Sequence, residues 1–213
     1  MPLMPELGLR ERKKARTRHL IAAVAARLFA EHGYEQVSVS DIAREAEVAE
    51  QTVYNYFQTK EQLVTDRDQQ ISDRMVDLIK TRAPGVSAAA AVRDFVLASV
   101  DAIPRISREM WRGELGYLAA VSPTIHRLSL EMADRQADAI AAAIRETTPV
   151  AAEVSKLQGI ALAGVFQIII TEAGRRTLDG QSQEQVAAEL RPSIETVLDE
   201  LDRWLSSTEE PLR

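Results

Sequence analysis

Cysteine is absent from all 213 residues, so the chain can hold neither a disulfide nor a thiolate-ligated metal. That suits a reducing cytoplasm. Aromatic residues make up only 5% of the chain against 46% hydrophobic residues overall. With alanine dominant, this composition argues for helices packed through small side chains rather than for sheet. No stretch alternates apolar and polar residues as a half-buried strand would. Long hydrophobic runs are also missing. The longest, GIALAGVFQIII over residues 159–170, is interrupted by Gln167 and falls short of the about 20 residues that cross a bilayer. The N-terminal MPLMPELGLRERKKARTR carries no apolar segment after its charges and does not read as a signal peptide. A cytoplasmic protein without a membrane partner is expected.

The spacings of common catalytic sites are lacking as well. The three histidines, His19, His32 and His126, are scattered, and there is no HExxH, no GxSxG and no phosphate-cradling glycine loop. An enzyme is disfavoured, and neither a cofactor nor a metal is expected.

What is present is segregated charge. The net charge of −6 would not draw the whole molecule to a polyanion. Residues 10–18, RERKKARTR, nevertheless hold six cations (Arg10, Arg12, Lys13, Lys14, Arg16 and Arg18) against Glu11 alone. Such a run is either a solvated arm or a nucleic-acid contact.

Helical periodicity fills the rest. Ile21, Val24, Ala25, Leu28 and Phe29 define a first helix over Thr17 to His32, with Gly33 placed for a left-handed C-terminal cap. A short second helix is capped by Ser38 or Ser40 and ends near Glu47, and a short third begins after Ala49. The Thr59/Gln62 pair reads as a capping box that starts a fourth helix at Lys60, running toward Thr81 before the break RAPGVS. Five further helices follow. One ends at Pro104, one is interrupted by glycine, one opens at Ser122–Pro123, one opens at Thr148–Pro149 and ends near Leu178, and the last opens with the capping box SQEQ. Pro192 is expected to kink or split that last helix. The fold class is therefore all-α, with about nine helices.

The stretch VAEQTVYNYFQTK, residues 48–60, is richer in polar and aromatic residues than a docked helix needs. If Val48, Val53 and Phe57 face a core with the first helix, the second and third helices form a helix-turn-helix, whose second helix enters the major groove. Gln51, Thr52 and Asn55 then project outward to read bases. The hydroxyls of Tyr54 and Tyr56 reach phosphates, and Lys60 adds a point charge. A plain surface helix with half-buried tyrosines fits these thirteen residues as well.

The wider pattern decides between them. The elements LFAEHGY, VSVSDIAREA and TVYNYFQTKEQL, within residues 15–65, resemble the DNA-binding domain of the TetR family of transcriptional regulators. The resemblance implies a three-helix DNA-binding head and a larger helical domain that dimerises and binds a small-molecule effector. Carried onto this sequence, it implies DNA contacts at Ser40, Gln51, Thr52, Tyr54, Tyr56 and Lys60. It also implies that the extension bearing Arg10, Arg12, Lys13, Lys14 and Arg16 lies along or inside the minor groove. The expected organisation is a basic arm over 1–16, a DNA-binding domain over 17–60 and an effector-binding and dimerisation domain over 61–213. Two departures stand out. Glu47 occupies a turn position where most relatives have glycine, and Ala49 occupies an N-cap position where they have Ser or Thr.

In the larger domain the eighth helix is apolar nearly all round, which leaves a side to cover unless it is a single central core helix. Ser155, Gly159, Ala163 and Gln167 share a four-residue spacing that would admit a partner helix. With Val197, Leu201 and Trp204 of the last helix they are the expected two-fold interface. Phe95, Met110, Trp111, Tyr117, His126 and Phe166 are candidate pocket residues, with Glu114 or Arg112 as polar anchors. The expected function is a repressor that binds double-stranded operator DNA as a dimer and is released by its effector. An effector-independent DNA binder and a helical ligand-binding protein with weak DNA binding are the alternatives.

Overall fold

A computed structural model describes residues 9–106 and 108–209; residues 1–8, half of the expected arm, lie outside the described residues. Within them every regular element is helical: α1 (Leu9–His32), α2 (Val39–Glu45), α3 (Glu50–Tyr56), α4 (Gln62–Lys80), α5 (Ala88–Asp101), a 3-10 turn (Ile103–Arg105), α6 (Arg108–Trp111), α7 (Leu115–Val121), α8 (Pro123–Thr147), α9 (Ala152–Leu178) and α10 (Gln183–Glu209). The expected sixth helix is divided by Gly113 into α6 and α7, which accounts for the tenth helix.

Two apolar cores organise the chain. The smaller gathers Ile21, Ala25 and Phe29 of α1, Ile42 and Ala43 of α2, Val53 of α3, and Phe57. It does not stop at residue 60: Leu63 and Val64 of α4, Leu115, Leu118 and Ala119 of α7, and Ile125 of α8 belong to it. The head is therefore seated on the body through shared apolar burial as well as through α4. The larger core lies between α4, α5, α8, α9 and α10, around Met75, Val96, Ile140, Leu162 and Ile194.

Local chemistry moves several boundaries. Helix α1 begins at Leu9, so the basic run is its first two turns rather than a separate arm. Arg, Lys, Glu and Ala are good helix formers, and no breaker interrupts them after Gly8. Helix α4 starts two residues later than expected, because the Gln62 side chain closes back on the Gln58 N–H at 2.7 Å rather than pairing with Thr59. Thr148 caps the end of α8 instead of opening α9. It is held extended (φ −142°, ψ 134°), as a residue before proline prefers. Pro192 does not split α10. The carbonyl it leaves without a helical partner, on Ala188, faces the exposed side, where water can bond it. The SQEQ box forms as expected, with Ser182 N–H donating to Gln185 Oε1 at 2.8 Å.

Helix α9 requires two corrections. At 27 residues it is long and apolar enough to cross a bilayer by length and composition, although Leu162, Val165, Phe166 and Ile169 are buried inside the protein. Its row of small residues does not face outward. Ser155, Gly159 and Ala163 are buried within the chain against α8, and a Cβ on Gly159 would sit 2.3 Å from the Ala137 carbonyl oxygen. Gln167 is half-buried and donates to Ser129 Oγ at 3.4 Å. The outward side carries Leu157, Ile160 and Ile168 instead, all exposed, around Gly164, whose Cβ position is open. Small residues lie on both sides of α9, so spacing alone does not say which row meets α8. Val197, Leu201 and Trp204 of α10 remain half-buried at the edge of the core.

Candidate nucleic-acid interface

Helix α3 is built from the turn upward. Ser38 caps α2: its hydroxyl accepts from Asp41 N–H at 3.1 Å, and its own N–H donates to Asp41 Oδ2 at 3.0 Å. The Ser38 hydroxyl also donates to Asp41 Oδ2 at 2.5 Å, and this bond first, then that of the Ser38 N–H, holds the Asp41 carboxyl down at about 2. The chain leaves α2 through Glu47 at φ 54°, the one non-glycine residue with positive φ among the described residues. That conformation costs an L-residue about 1 kcal/mol. Val48 N–H then bonds the Ala43 carbonyl at 2.9 Å and closes the turn. Ala49 is the N-cap of α3 and supplies no side-chain bond. Both departures seen in the sequence are thus realised in the backbone.

Helix α3 is anchored as its pattern predicts. Val53 and Phe57 are each 1% exposed. Burial at this level is worth about 1.5–3 kcal/mol per side chain, which makes the orientation of the opposite face a consequence of packing. Gln51, Tyr54 and Asn55 are exposed on that face, and Thr52 and Tyr56 are half-buried. Gln51 Nε2 donates to Asn55 Oδ1 at 3.3 Å, so these two amides already orient each other.

Arg18 secures the far end of α3. Its Nη1 donates to the Tyr56 carbonyl at 2.8 Å, its Nε donates to Asp66 at 3.1 Å, and its guanidinium lies 4.5 Å from the centre of the Phe57 ring. One side chain of α1 therefore joins α3 to α4. Only its place in the basic run marked it beforehand.

The expected DNA contacts do not all point the same way. Arg10, Lys13, Lys14 and Thr17 share one side of α1 and, with the acidic Glu11, line a concave surface with Thr52, Asn55 and Tyr56 of α3; Gln51 and Tyr54 lie outside it. Arg12 and Arg16 are exposed but lie outside that lining. Lys60 does not project as a free point charge. Its ammonium donates to the Tyr34 carbonyl and lies 4.0 Å from the centre of the Tyr34 ring. Burial lowers its pKa, against the opposing pull of Glu35 and Glu61. The Tyr34 hydroxyl donates to Glu61 at 3.1 Å, and burial, with Glu61 beside it, raises its pKa. Ser40 is also engaged: its hydroxyl donates to Glu50 Oε2 at 2.8 Å.

The candidate pocket residues divide similarly. Phe95, Trp111 and Phe166 meet around a cavity of about 320 Å³ between α4, α5, α7 and α9. The Phe95 and Phe166 ring centres are 6.2 Å apart, and Trp111 Nε1 donates to Thr177 at 2.9 Å. Glu114 lines this cavity, whereas Arg112 is exposed outside it. Met110 lies instead in the cleft between α1 and α4. Tyr117 packs half-buried against the larger core. His126 is exposed in a surface groove beside Thr171 and Leu178 and is not a lining residue of the cavity. A second cavity of about 360 Å³ adjoins the first, and Asp68, Ile71, Leu115, Phe166 and Ile170 line both. The α4 contribution was not foreseen; its amphipathic pattern was the available signal.

Comparison with known proteins agrees with this architecture. Residues 21–66 match the family described as bacterial regulatory proteins, tetR family. Over 57 residues the chain is 44% identical to the regulator MftR of Mycobacterium tuberculosis, named for mycofactocin biosynthesis; the match covers 27% of this chain and 29% of that one. Over 62 residues it is 40% identical to the dhaKLM operon transcriptional activator DhaS of Lactococcus lactis, covering 29% and 33%. The chain thus spans about a third of the length of the curated relatives it matches. The fold extends further. NalD of Pseudomonas aeruginosa superposes with a TM-score of 0.55 at 17% identity, over 90% of this chain and 98% of NalD. Residues 21–66 thus match the tetR family by sequence, and the whole chain shares the fold of NalD.

Proposed function

We propose that this protein is a cytoplasmic transcriptional regulator that binds a palindromic DNA operator as a homodimer and is released from it by a small-molecule effector. One observation carries the reading: Thr52, Asn55 and Tyr56 of α3 border a single concave surface with the cations Arg10, Lys13 and Lys14, which outnumber the one anion there, Glu11. Gln51, Thr52 and Asn55 address base edges. Tyr54, Tyr56 and the α1 cations hold the flanking phosphates, which position the helix without reading sequence. Phosphate neutralisation by three cations overcomes the net negative charge only locally, so binding is steeply salt-dependent.

The dimer forms through the outward side of α9, with Leu157, Ile160, Gly164 and Ile168, together with Val197, Leu201 and Trp204 of α10. Covering these apolar side chains in a two-fold four-helix contact removes them from water. Two reading helices then meet half-sites about 10 bp, or a multiple of that, apart.

The effector occupies the cavity bordered by Phe95, Trp111 and Phe166. Helix α4 is the element that couples it to DNA: Asp68 lines the cavity, and Asp66, two residues earlier, holds Arg18. A ligand that favours a displaced α4 also favours a displaced α3, which is coupling through one shared element. Repression, by blocking polymerase access, is adopted as the outcome. The names of relatives point both ways, since NalD is a secondary repressor of a multidrug efflux pump and DhaS an activator.

Selection of bound fragments from a random DNA pool tests the reading. Recovery of a two-fold symmetric sequence supports it, with Thr52→Ala relaxing base preference and Tyr54→Phe weakening all sequences alike. Failure to retain any duplex at low ionic strength, with no candidate ligand present, overturns it. An effector-independent DNA binder would give the same operator but no compound that releases it.

A further inference from the structure

We propose that Glu50 reads a cytosine in each half-site and that Ser40 is the positioning residue that aims it. The inference rests on the DNA-binding reading above and adds a residue which that reading leaves out.

The argument starts from donor arithmetic. A serine hydroxyl has one hydrogen to give. That of Ser40 is given to Glu50 Oε2 at 2.8 Å, across the gap between α2 and α3. A phosphate oxygen only accepts, so Ser40 in this arrangement has nothing to offer the DNA backbone. The neighbouring hydroxyl and carboxylate, Ser38 and Asp41, are engaged in the α2 capping box. The bond therefore serves to hold the Glu50 carboxylate. Glu50 is exposed and is the first residue of α3, at the end from which a reading helix contacts base edges. The helix dipole favours a negative charge at that position.

A carboxylate held there is selective, because almost everything in a DNA groove repels it. Phosphate oxygens, guanine O6 and N7, and thymine O4 are all acceptors. Adenine offers its N6 amino group beside the acceptor N7, which opposes the second carboxylate oxygen. Cytosine N4 is a donor with no acceptor next to it on the major-groove edge. Opposite cytosine, Glu50 gains a charge-assisted bond; opposite guanine or thymine it is a desolvated charge without a donor, and opposite adenine the N6 bond is offset by repulsion from N7. The discrimination thus comes as much from rejecting wrong sequences as from binding the right one.

The experiment uses the full chain and its Glu50→Gln, Glu50→Ala and Ser40→Ala forms in parallel selections from a random pool. Affinities are then measured on single-base variants of the parent site, and circular dichroism confirms equal helicity. The parent is expected to require a C·G pair at one position of each half-site, by on the order of ten-fold or more over the other pairs. Glu50→Gln is expected to move that preference to adenine, whose N6 and N7 suit an amide. Glu50→Ala is expected to leave the position degenerate, and Ser40→Ala to blunt it without altering the others. The proposal is overturned if the Glu50 variants keep every base preference of the parent and merely bind all DNA more tightly, because Glu50 is then only a repulsive bystander. A parent that selects no sequence overturns the regulator reading itself, which separates the two failures.

Discussion

Arg18 and Asp66 form an ion pair that locks α1 to α4, and the same guanidinium holds the last carbonyl of α3, that of Tyr56. Three helices of the head thus meet at one planar cation. Arginine is suited to this because its fork serves several acceptors while its face stacks on Phe57. Asp66 is largely shielded while Arg18 is partly open to solvent, so the pair is screened on one side only.

Arg18→Ala should therefore cost about 2 kcal/mol of stability, the range for bonds to a partly buried charge. Arg18→Lys should recover little of it, because an ammonium cannot fork. Urea denaturation followed by circular dichroism measures both. A loss below about 0.5 kcal/mol, typical of an exposed ion pair, would show that the three-way junction contributes little.

The turn of the helix-turn-helix offers the opposite kind of change. Glu47→Gly removes the strain of a positive φ but adds freedom to the unfolded chain, for a net gain of about 0.5 kcal/mol. Ala49→Ser restores a side-chain cap to α3, whose N-cap backbone is already extended, for about 1 kcal/mol. Thermal melts should rise for both, and additively if the two act on different groups. A fall for Ala49→Ser would mean that the cap geometry of α3 differs from that described.

Two glycines of α9 separate internal packing from assembly. Gly159→Ala should destabilise the fold by about 3 kcal/mol, since its methyl meets the backbone of α8 and neither helix can yield cheaply. Gly164→Ala should be tolerated by the single chain and favoured by helix propensity, whereas Gly164→Arg should abolish the proposed dimer. Light scattering after size exclusion reads the second effect. An unchanged mass for Gly164→Arg would move the interface elsewhere.

The acid limb of stability should carry the signature of Asp41. Its carboxyl is held at about 2 by Ser38, so the charged form is favoured in the folded state. The contribution is complete above the ordinary aspartate range and fades as pH falls toward about 2. Carbon NMR of the carboxyl should follow this titration, and Ser38→Ala should bring it back toward the ordinary value. Titration of Asp41 at that ordinary value in the parent would mean the capping box is open in solution.

Much of the head was legible beforehand because its determinants are local. Helical spacing predicted that Val53 and Phe57 turn inward, the family resemblance marked Glu47 as standing where a turn favours glycine, and Gly33 takes the positive φ expected of a cap. The all-helical class followed from composition and period alone. Where two helices had to choose faces, the sequence was ambiguous: α9 has small residues on both sides, and only packing against Ala137 and Ala141 decided that Gly159 faces inward and Gly164 outward. Likewise a lysine or serine is a donor in any sequence. Whether Lys60 spends its protons on Tyr34 and Ser40 its hydrogen on Glu50 depends on elements brought together from separate stretches of chain. Periodicity and backbone preference act within a few residues and can be read in one dimension; the partners of polar groups and the pairing of helix faces are set by close packing in three.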